Sequence, residues 1–297
     1  MSTAVAHNPK VKDFFSLVTF SHTIFAMPFA FIGYTLAIVR GGHEVSWKLL
    51  GLVVLCMVFA RNAAMGFNRY ADRKFDAQNA RTAVREIPSG KISATSALWF
   101  IILNCAAFIG TTFFINQICF LLSPVALLVV LGYSLTKRFT ALCHLILGLG
   151  LSLAPIGAWL AVDGQFEMLP LWFSFAVIFW VSGFDVIYAL QDADFDKQNS
   201  LHSIPAALGK KNALLLAKFL HLVSATCIWI AWSYGKFGTL YFFGAIFFTA
   251  LLIYQHTLVK HDDLSKVNRA FFTTNGIASV VFAGFVISDL LIGWRLF

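Results

Sequence analysis

The chain has 297 residues, of which 59% are hydrophobic and only 12% are charged, and its formal net charge is +8. Since an average soluble domain carries about 25% charged residues, this composition excludes an ordinary soluble protein and indicates a polytopic membrane protein. The five cysteines lie in apolar stretches without a C-x-x-C pair, which argues against disulfides and against a thiolate metal site.

Taken in order, the apolar stretches predict a membrane bundle of the all-α class that forms a single domain over residues 1–297. Each stretch has about 18–26 residues, which is enough to cross roughly 30 Å of hydrocarbon. The first one is too long for a cleaved signal peptide. The nine predicted helices cover residues 14–39, 47–70, 93–114, 117–135, 141–162, 169–191, 211–233, 238–259 and 269–293.

Lysine and arginine are distributed unequally between the two sides of this topology. Sixteen fall on the side of the N-terminus, four fall on the other side, and two lie within helices. By the positive-inside rule the side with sixteen faces the cytoplasm, and we expect the inner membrane of a bacterial cell. The net positive charge thus reflects topology and attraction to anionic membrane lipid, and it gives no support for nucleic-acid binding.

The most unusual stretch, residues 61–91, follows the apolar part of the second predicted helix. Asn68, Asp72 and Asp76 are spaced by four, so each step turns only about 40° and all three share one helix face. Arg61, seven residues before Asn68, lies within about 20° of it on that face. Carboxylates at the end of a membrane helix are costly unless they hold a cation or line a wet cavity.

A second acidic array ends the sixth predicted helix. Asp192 and Asp196 are four residues apart, and Tyr188 and Asp185 precede them on the same face, whereas Asp194 points away and should be solvated. The two arrays end helices that are four apart in the predicted order, so they lie on the same side of the membrane. This spacing hints at a duplicated four-helix unit with one extra helix.

Together the two arrays predict a metal–diphosphate site. Mg²⁺ prefers oxygen ligands and commonly takes one or two carboxylates plus substrate phosphates. Such ions neutralise the charge that develops as a diphosphate leaves carbon. Tyr133 lies one turn before a lysine at the end of the fourth helix. The basic side chains that could hold the remaining phosphate oxygens from the same side are Lys74, Arg81, Arg85, Lys137 and Arg138. Arg81 and Arg85 could instead be plain positive-inside charges.

Three motifs carry a resemblance to a known family. The first is N-x-x-x-D-x-x-x-D followed by R-T-A-V-R-E-I-P-S-G, the second is Y-x-x-x-K, and the third is Y-A-L-Q-D-x-D-x-D. The chain resembles the UbiA superfamily of intramembrane aromatic prenyltransferases, most of all the 4-hydroxybenzoate polyprenyltransferase branch and its relatives assigned to menaquinone synthesis. Val84-Arg85-Glu86-Ile87 replaces the N-R-P-L of many relatives, which leaves the acceptor open.

The resemblance implies Mg²⁺-dependent transfer of a polyprenyl group from a polyprenyl diphosphate to an aromatic acceptor acid. That acceptor would be a 4-hydroxybenzoate or a naphthoate, in ubiquinone or menaquinone synthesis. The implied metal and diphosphate ligands are Asn68, Asp72, Asp76, Asp192 and Asp196, and the implied diphosphate or substrate contacts are Tyr133 and Lys137.

We expect electrophilic aromatic substitution, with Asp72, Asp192 and Asp196 as the catalytic acids and Asp192 as the acceptor of the ring proton. Arg61, together with Tyr188 and Asp185, is expected to contact the acceptor, although a structural role for Arg61 is equally open.

Two alternative functions use the same acids. One is haem farnesylation within the superfamily, and the other is a cation-coupled transporter, which would need broken helices at mid-membrane. His22 is expected to be a structural histidine, and Pro28 and Pro155 are expected to kink their helices.

Overall fold

The structure is a computed structural model that describes residues 11–18 and 25–295, without the side chains of residues 11, 294 and 295. Part of the first predicted helix, including His22, lies outside the described residues. Helices are the only regular elements in the described part of the chain. They are α1 Val11–Val18, α2 Met27–Gly41, α3 Trp47–Asp76, α4 Ala94–Phe113, α5 Gln117–Thr136, α6 Cys143–Asp163, α7 Met168–Ala189, α8 Ala193–Gln198, α9 Ile204–Tyr234, α10 Thr239–Leu258 and α11 Asn275–Arg295, with a 3₁₀ turn at Leu190–Asp192 and a π-helical turn at Arg269–Thr274.

The predicted all-α membrane bundle is confirmed. Eight helices are long and apolar enough to cross a membrane, namely α3, α4, α5, α6, α7, α9, α10 and α11. The shorter apolar helix α2 brings the number of apolar helices among residues 11–18 and 25–295 to nine. A single domain and a duplicated four-helix unit stay predictions.

Polar caps fix where several helices begin. A serine or asparagine side chain accepts the backbone N–H three residues later, which satisfies a donor that the first helical turn leaves free. The tight connection between α4 and α5 is defined in this way by Asn116, whose Oδ1 accepts the N–H of Cys119 at 2.9 Å. The other caps of this kind are Ser46, Ser93 and Ser203.

Two predicted boundaries or distortions were wrong. Pro28 lies in the first turn of α2, where proline fits without breaking a hydrogen bond, so it does not kink the helix. Helix α9 begins at Ile204, where Ser203 caps it, but Gly209 interrupts it with a φ of 77°, so the predicted helix 211–233 corresponds to the part of α9 after this break. Helix α3 continues to Asp76, so its 30 residues span about 45 Å and carry the acids beyond the hydrocarbon.

Helix α7 forms the centre of the bundle and packs against α6 and α9. In the apolar window of α7, 72% of the residues are buried, compared with 17% for α3 and for α5, so those two helices form an outer wall. Trp180 is fully buried beside Phe29 and Phe248, and its Nε1 donates to Oδ1 of Asn275 at 2.9 Å. On the closely packed side, a Cβ at Gly33 would collide with the carbonyl oxygen of Pro155.

Candidate active site

The C-terminal ends of α3, α5 and α7 meet at one end of the bundle, as the topology predicted. Consecutive residues after α5 connect the two acidic arrays. Arg138 Nη2 lies 3.5 Å from Asp72 Oδ1, and Lys137 Nζ lies 2.7 Å from Asp196 Oδ1. Arg81, in the connection between α3 and α4, pairs with Asp192 beyond α7. Each array is therefore held by cations from another element.

The array on α3 contains one buried oxygen without a partner. Asn68 Nδ2 donates to Asp72 Oδ2 at 3.2 Å, and Arg85 Nη1 lies 2.6 Å from Asp76 Oδ1. Asp76 is only 6% exposed, and its Oδ2 accepts no hydrogen bond from the described residues. A buried carboxylate oxygen without a donor is costly, and it is the kind of ligand that a hard cation takes.

Both carboxylate oxygens of Asp192 accept hydrogen bonds. Arg81 donates to it from Nε at 3.1 Å and from Nη2 at 2.5 Å, and Asn79 Nδ2 adds a bond of 3.2 Å to Oδ1. The hydroxyl of Tyr188 accepts from Arg81 Nη1 at 3.3 Å. Burial lowers the pKa of Arg81, but its hydrogen bond to Asp192 and the charge of that carboxylate raise the pKa overall.

A 3₁₀ turn at Leu190–Asp192 separates α7 from α8 within the second array, so Asp185 and Tyr188 lie on α7 and Asp196 lies on α8. The shared face expected for Asp192 and Asp196 stays a prediction. Asp196 is 0% exposed, with Oδ1 paired to Lys137 and Oδ2 accepting from Ser203 Oγ at 2.8 Å. The side chain of Asp194 is 82% exposed, as expected, and pairs with Lys210.

The three residues expected at the acceptor occupy different environments. Arg61 lines a cavity between α3, α5 and α6 that is described below, and its Nη2 donates to the backbone oxygen of Val18 at 3.5 Å. The ring of Tyr188 lies against Phe271, with 4.2 Å between centroids. Asp185 Oδ2 is 2.6 Å from Nδ1 of His144, a buried residue on α6 that sequence reasoning missed.

Two further basic residues, Lys74 and Arg69, lie on α3 near the acidic array. Lys74 is exposed, and no ion pair joins it to a carboxylate in the described part of the chain. Arg69, which received no role from the sequence, has a buried Nε without a hydrogen-bond partner among residues 11–18 and 25–295. Asp76 follows Arg69 by seven residues, so the two lie within about 20° of each other on the helix. One helix edge thus carries an unsatisfied donor and an unsatisfied acceptor that do not bond to each other.

The donor set fits a cation that arrives with a phosphate ligand and does not form an all-protein metal centre. No group of three or more His, Cys, Asp or Glu side chains with metal-binding geometry occurs among residues 11–18 and 25–295. Mg²⁺ typically needs only one or two carboxylates when substrate phosphates complete its shell. The unsatisfied Oδ2 of Asp76 and the partly exposed Asp72 can supply them.

A cavity of about 390 Å³ lies between α3, α5 and α6. On α5 its lining extends from Tyr133 to Cys119, which corresponds to roughly 20 Å along the helix. The lining is mostly apolar, with Arg61 as its charged member. Gly150 and Gly157 lie in its wall, and a Cβ at either position would meet no atom closer than 3.6 Å.

Residues 26–277 match the family model described as the UbiA prenyltransferase family. The chain belongs to this family. Two similar relatives, each named 4-hydroxybenzoate octaprenyltransferase, come from Tolumonas auensis and Burkholderia ambifaria. The first is 32% identical over 243 residues, covering 82% of this chain and 85% of the relative. The second is 32% identical over 258 residues, covering 86% of this chain and 88% of the relative.

Solved structures of UbiA proteins share the fold. The apo structure of a UbiA homolog from Aeropyrum pernix K1 has a TM-score of 0.82 at 29% identity, covering 90% of this chain and 98% of that one. A UbiA homolog from Archaeoglobus fulgidus, bound to DMAPP and Mg²⁺, has a TM-score of 0.71 at 21% identity, covering 94% and 99%. The predicted family is confirmed, and this UbiA protein is a multi-pass membrane prenyltransferase.

Proposed function

We propose that this UbiA protein transfers a polyprenyl group to 4-hydroxybenzoate in ubiquinone synthesis. The observation that carries the proposal is an acidic and basic cluster whose Lys137 lies one helical turn beyond Tyr133, a lining residue of an apolar cavity that also contains Arg61. The names of the relatives support the same substrates.

The metal ligands in this proposal are Asn68, Asp72 and Asp76 on α3 and Asp192 after α7. When bound, Mg²⁺ would neutralise the charge that develops on the departing diphosphate. Asp196 as a ligand stays a prediction, since Lys137 and Ser203 engage both of its oxygens.

The diphosphate is bound by an exchange of partners. Each acid of the cluster already faces a guanidinium or ammonium group, so the apo site is close to electrically balanced. When Asp72, Asp76 and Asp192 engage a cation, their basic partners become free to bind phosphate oxygens in charge-assisted hydrogen bonds. The groups freed in this way are Arg138, Arg85 and Arg81. Arg69 needs no exchange, because its Nε has no partner.

The prenyl chain and the acceptor occupy the cavity. Its apolar lining between α3, α5 and α6 suits an isoprenoid, which has no polar group beyond its diphosphate. Arg61 lies seven residues, or roughly 10 Å, deeper along α3 than Asn68. There its planar guanidinium group would bind the acceptor carboxylate with two hydrogen bonds. The aromatic ring of the acceptor would then lie between that carboxylate and the allylic carbon.

For the location we propose a bacterial inner membrane with the acidic end of the bundle facing the cytoplasm. The bias of sixteen to four basic residues supports this orientation. An impermeant thiol reagent should label a cysteine placed at Gln78 only from the inside and one placed at Gln165 only from the outside. The opposite pattern would overturn the orientation.

The function is tested with purified protein, a labelled polyprenyl diphosphate and separate acceptors in Mg²⁺ or in chelator. We expect prenylated 4-hydroxybenzoate in Mg²⁺ and none in chelator. Labelled product from a dihydroxynaphthoate or from haem, with none from 4-hydroxybenzoate, would replace the acceptor in this proposal. Asp194→Asn is the matched control, because Asp194 is an exposed acid two residues from Asp192 and should keep full activity.

A further inference from the structure

Electrophilic substitution on a ring releases a proton, and the acid expected to take it is poorly placed for that role. Asp192 already accepts hydrogen bonds on both oxygens from Arg81 and Asn79. Donors and a cation that stabilise a carboxylate make it a weaker base. In the proposed function Asp192 also binds the cation, which weakens it further. A different group should therefore accept the ring proton.

Asp185 differs from Asp192 in each of these respects. His144 Nδ1 holds its Oδ2 at 2.6 Å, while no hydrogen bond reaches its Oδ1 from the described residues. The side chain is 22% exposed, so the free oxygen is accessible. Its partner His144 lies one turn before Leu147 on α6, and Leu147 lines the cavity.

The depth of Asp185 matches the acceptor and not the leaving group. It precedes Asp192 by seven residues, just as Arg61 precedes Asn68 by seven residues on α3. Both intervals correspond to roughly 10 Å along a helix. Asp185 therefore lies at the level of the acceptor, roughly 10 Å deeper than the acid proposed to bind the cation.

The contacts of His144 fix which proton it carries. Its Nε2 accepts the backbone N–H of Ile204 at 3.3 Å. The imidazole N–H is therefore on Nδ1, and it is donated to Asp185. The residue is 3% exposed, and its backbone oxygen accepts from Ser182 Oγ at 3.1 Å. His144 is thereby held between α6, α7 and the start of α9, and it orients one carboxylate.

We propose that Asp185 is the base that accepts the ring proton and that His144 is its positioning residue. In the reaction the bond between the allylic carbon and the diphosphate oxygen breaks, and the diphosphate leaves with the electron pair. A ring carbon then forms the new carbon–carbon bond. The electrons of its C–H bond return to the ring, and the proton moves to Oδ1 of Asp185, from which water removes it after the product leaves. This proposal rests on the proposed function.

Asp185→Asn separates proton removal from loss of the diphosphate. We expect prenyl transfer to fall by about 100-fold or more, which is the lower range for a general base. Mg²⁺-dependent release of diphosphate to water, measured without acceptor, should continue. A ring-deuterated acceptor should show a primary isotope effect in this variant that the wild type lacks. In Asp192→Asn both transfer and diphosphate release should be lost.

Two variants of His144 test its role in positioning Asp185. His144→Asn keeps a side-chain amide donor near the place of Nδ1, whereas His144→Gln places its polar atoms near Nε2 and loses the donor to Asp185. We expect the Asn variant to stay within about tenfold of the wild type. The Gln variant should behave like Asp185→Asn, with unchanged KM values. His221→Asn is the matched control, because His221 is also a buried histidine, bonded to His256 and to the backbone oxygen of Trp180. It should lower the thermal midpoint without producing an isotope effect.

Three results would overturn the proposal. They are wild-type transfer rates in Asp185→Asn, equal loss of transfer and diphosphate release in that variant, and identical effects of the two His144 variants on stability alone. Failure of the proposed function looks different, since the wild type itself would then prenylate no aromatic acid.

Discussion

Acidic side chains lie at both ends of this bundle, but the groups that they bind differ. At the site end, Asp72, Asp76 and Asp192 pair with arginine side chains from other elements. At the opposite end, Asp289 of α11 accepts the backbone N–H groups of residues 238, 240 and 241 at 2.7, 3.1 and 3.2 Å. Arg40 there likewise donates to a backbone oxygen, that of Gly235.

The difference separates a structural use of charge from a functional one. A backbone amide at the start of α10 cannot move to another partner without unfolding the helix. A guanidinium on a flexible side chain can exchange a carboxylate for a phosphate at little cost to the fold. Mutation should therefore affect activity at the site end and stability at the opposite end.

The largest effect is expected for Asp72→Ala. It removes a proposed metal ligand, which costs several kcal/mol of transition-state stabilisation, so transfer should fall to background in excess Mg²⁺. The protein should still elute as a folded species, because Asp72 is not part of the apolar core. More than a tenth of the wild-type turnover in this variant would show that Asp72 is not a metal ligand.

Asp289→Ala should affect stability alone. The three amides at the start of α10 lose a charged acceptor, which should cost about 2 kcal/mol and lower the thermal midpoint. Both KM values and kcat should stay at wild-type levels. A changed KM with an unchanged thermal midpoint would contradict the separation between the two ends.

Arg69→Gln sharpens the comparison within the site end. Arg69 has an unsatisfied Nε, so its loss should leave the fold intact while it removes a donor to the diphosphate. A hydrogen bond between charged groups contributes about 1.5 kcal/mol, so the KM for the polyprenyl diphosphate should rise about tenfold. Lys74→Gln is the control, because Lys74 is exposed on the same helix end and should change nothing. A fall in stability without a change in KM would assign Arg69 to packing.

The smallest effect is expected for Arg61→Lys, which keeps the charge and loses the planar guanidinium group. We expect the acceptor KM to rise about fivefold and the diphosphate KM to stay constant. If Arg61 is structural, the thermal midpoint should fall while both KM values stay unchanged. A rise in the diphosphate KM alone would contradict both roles and place Arg61 at the leaving group.

The sequence predicted the features that depend on local composition and on the alternating direction of consecutive membrane helices. Stretches of about 20 apolar residues are enough to identify membrane helices. Since consecutive helices alternate in direction, the sequence also placed Asp72, Lys137 and Asp192 at one end. The solvated Asp194 followed from its helical phase.

What the sequence could not give depends on contacts between distant segments. The 3₁₀ turn at Leu190–Asp192, which separates α7 from α8, is not marked by any local residue pattern. The pairing of Arg81 with Asp192 joins residues 111 positions apart, and no local pattern announces it. His144 is a lone histidine in an apolar stretch, so only its contact with Asp185 reveals it. The break at Gly209 was likewise hidden beside two lysines.

The glycines of α6 bear on how such an enzyme can change during evolution. Gly148 cannot acquire a side chain, because a Cβ there would collide with the carbonyl oxygen of Ile178 on α7. Gly150 and Gly157, on the same helix, face the cavity with room for one. Single substitutions at these two positions would shorten or narrow the space for the isoprenoid without disturbing the packing of α6 on α7. Preference for longer or shorter prenyl donors can therefore diverge between lineages while the fold and the reaction stay the same.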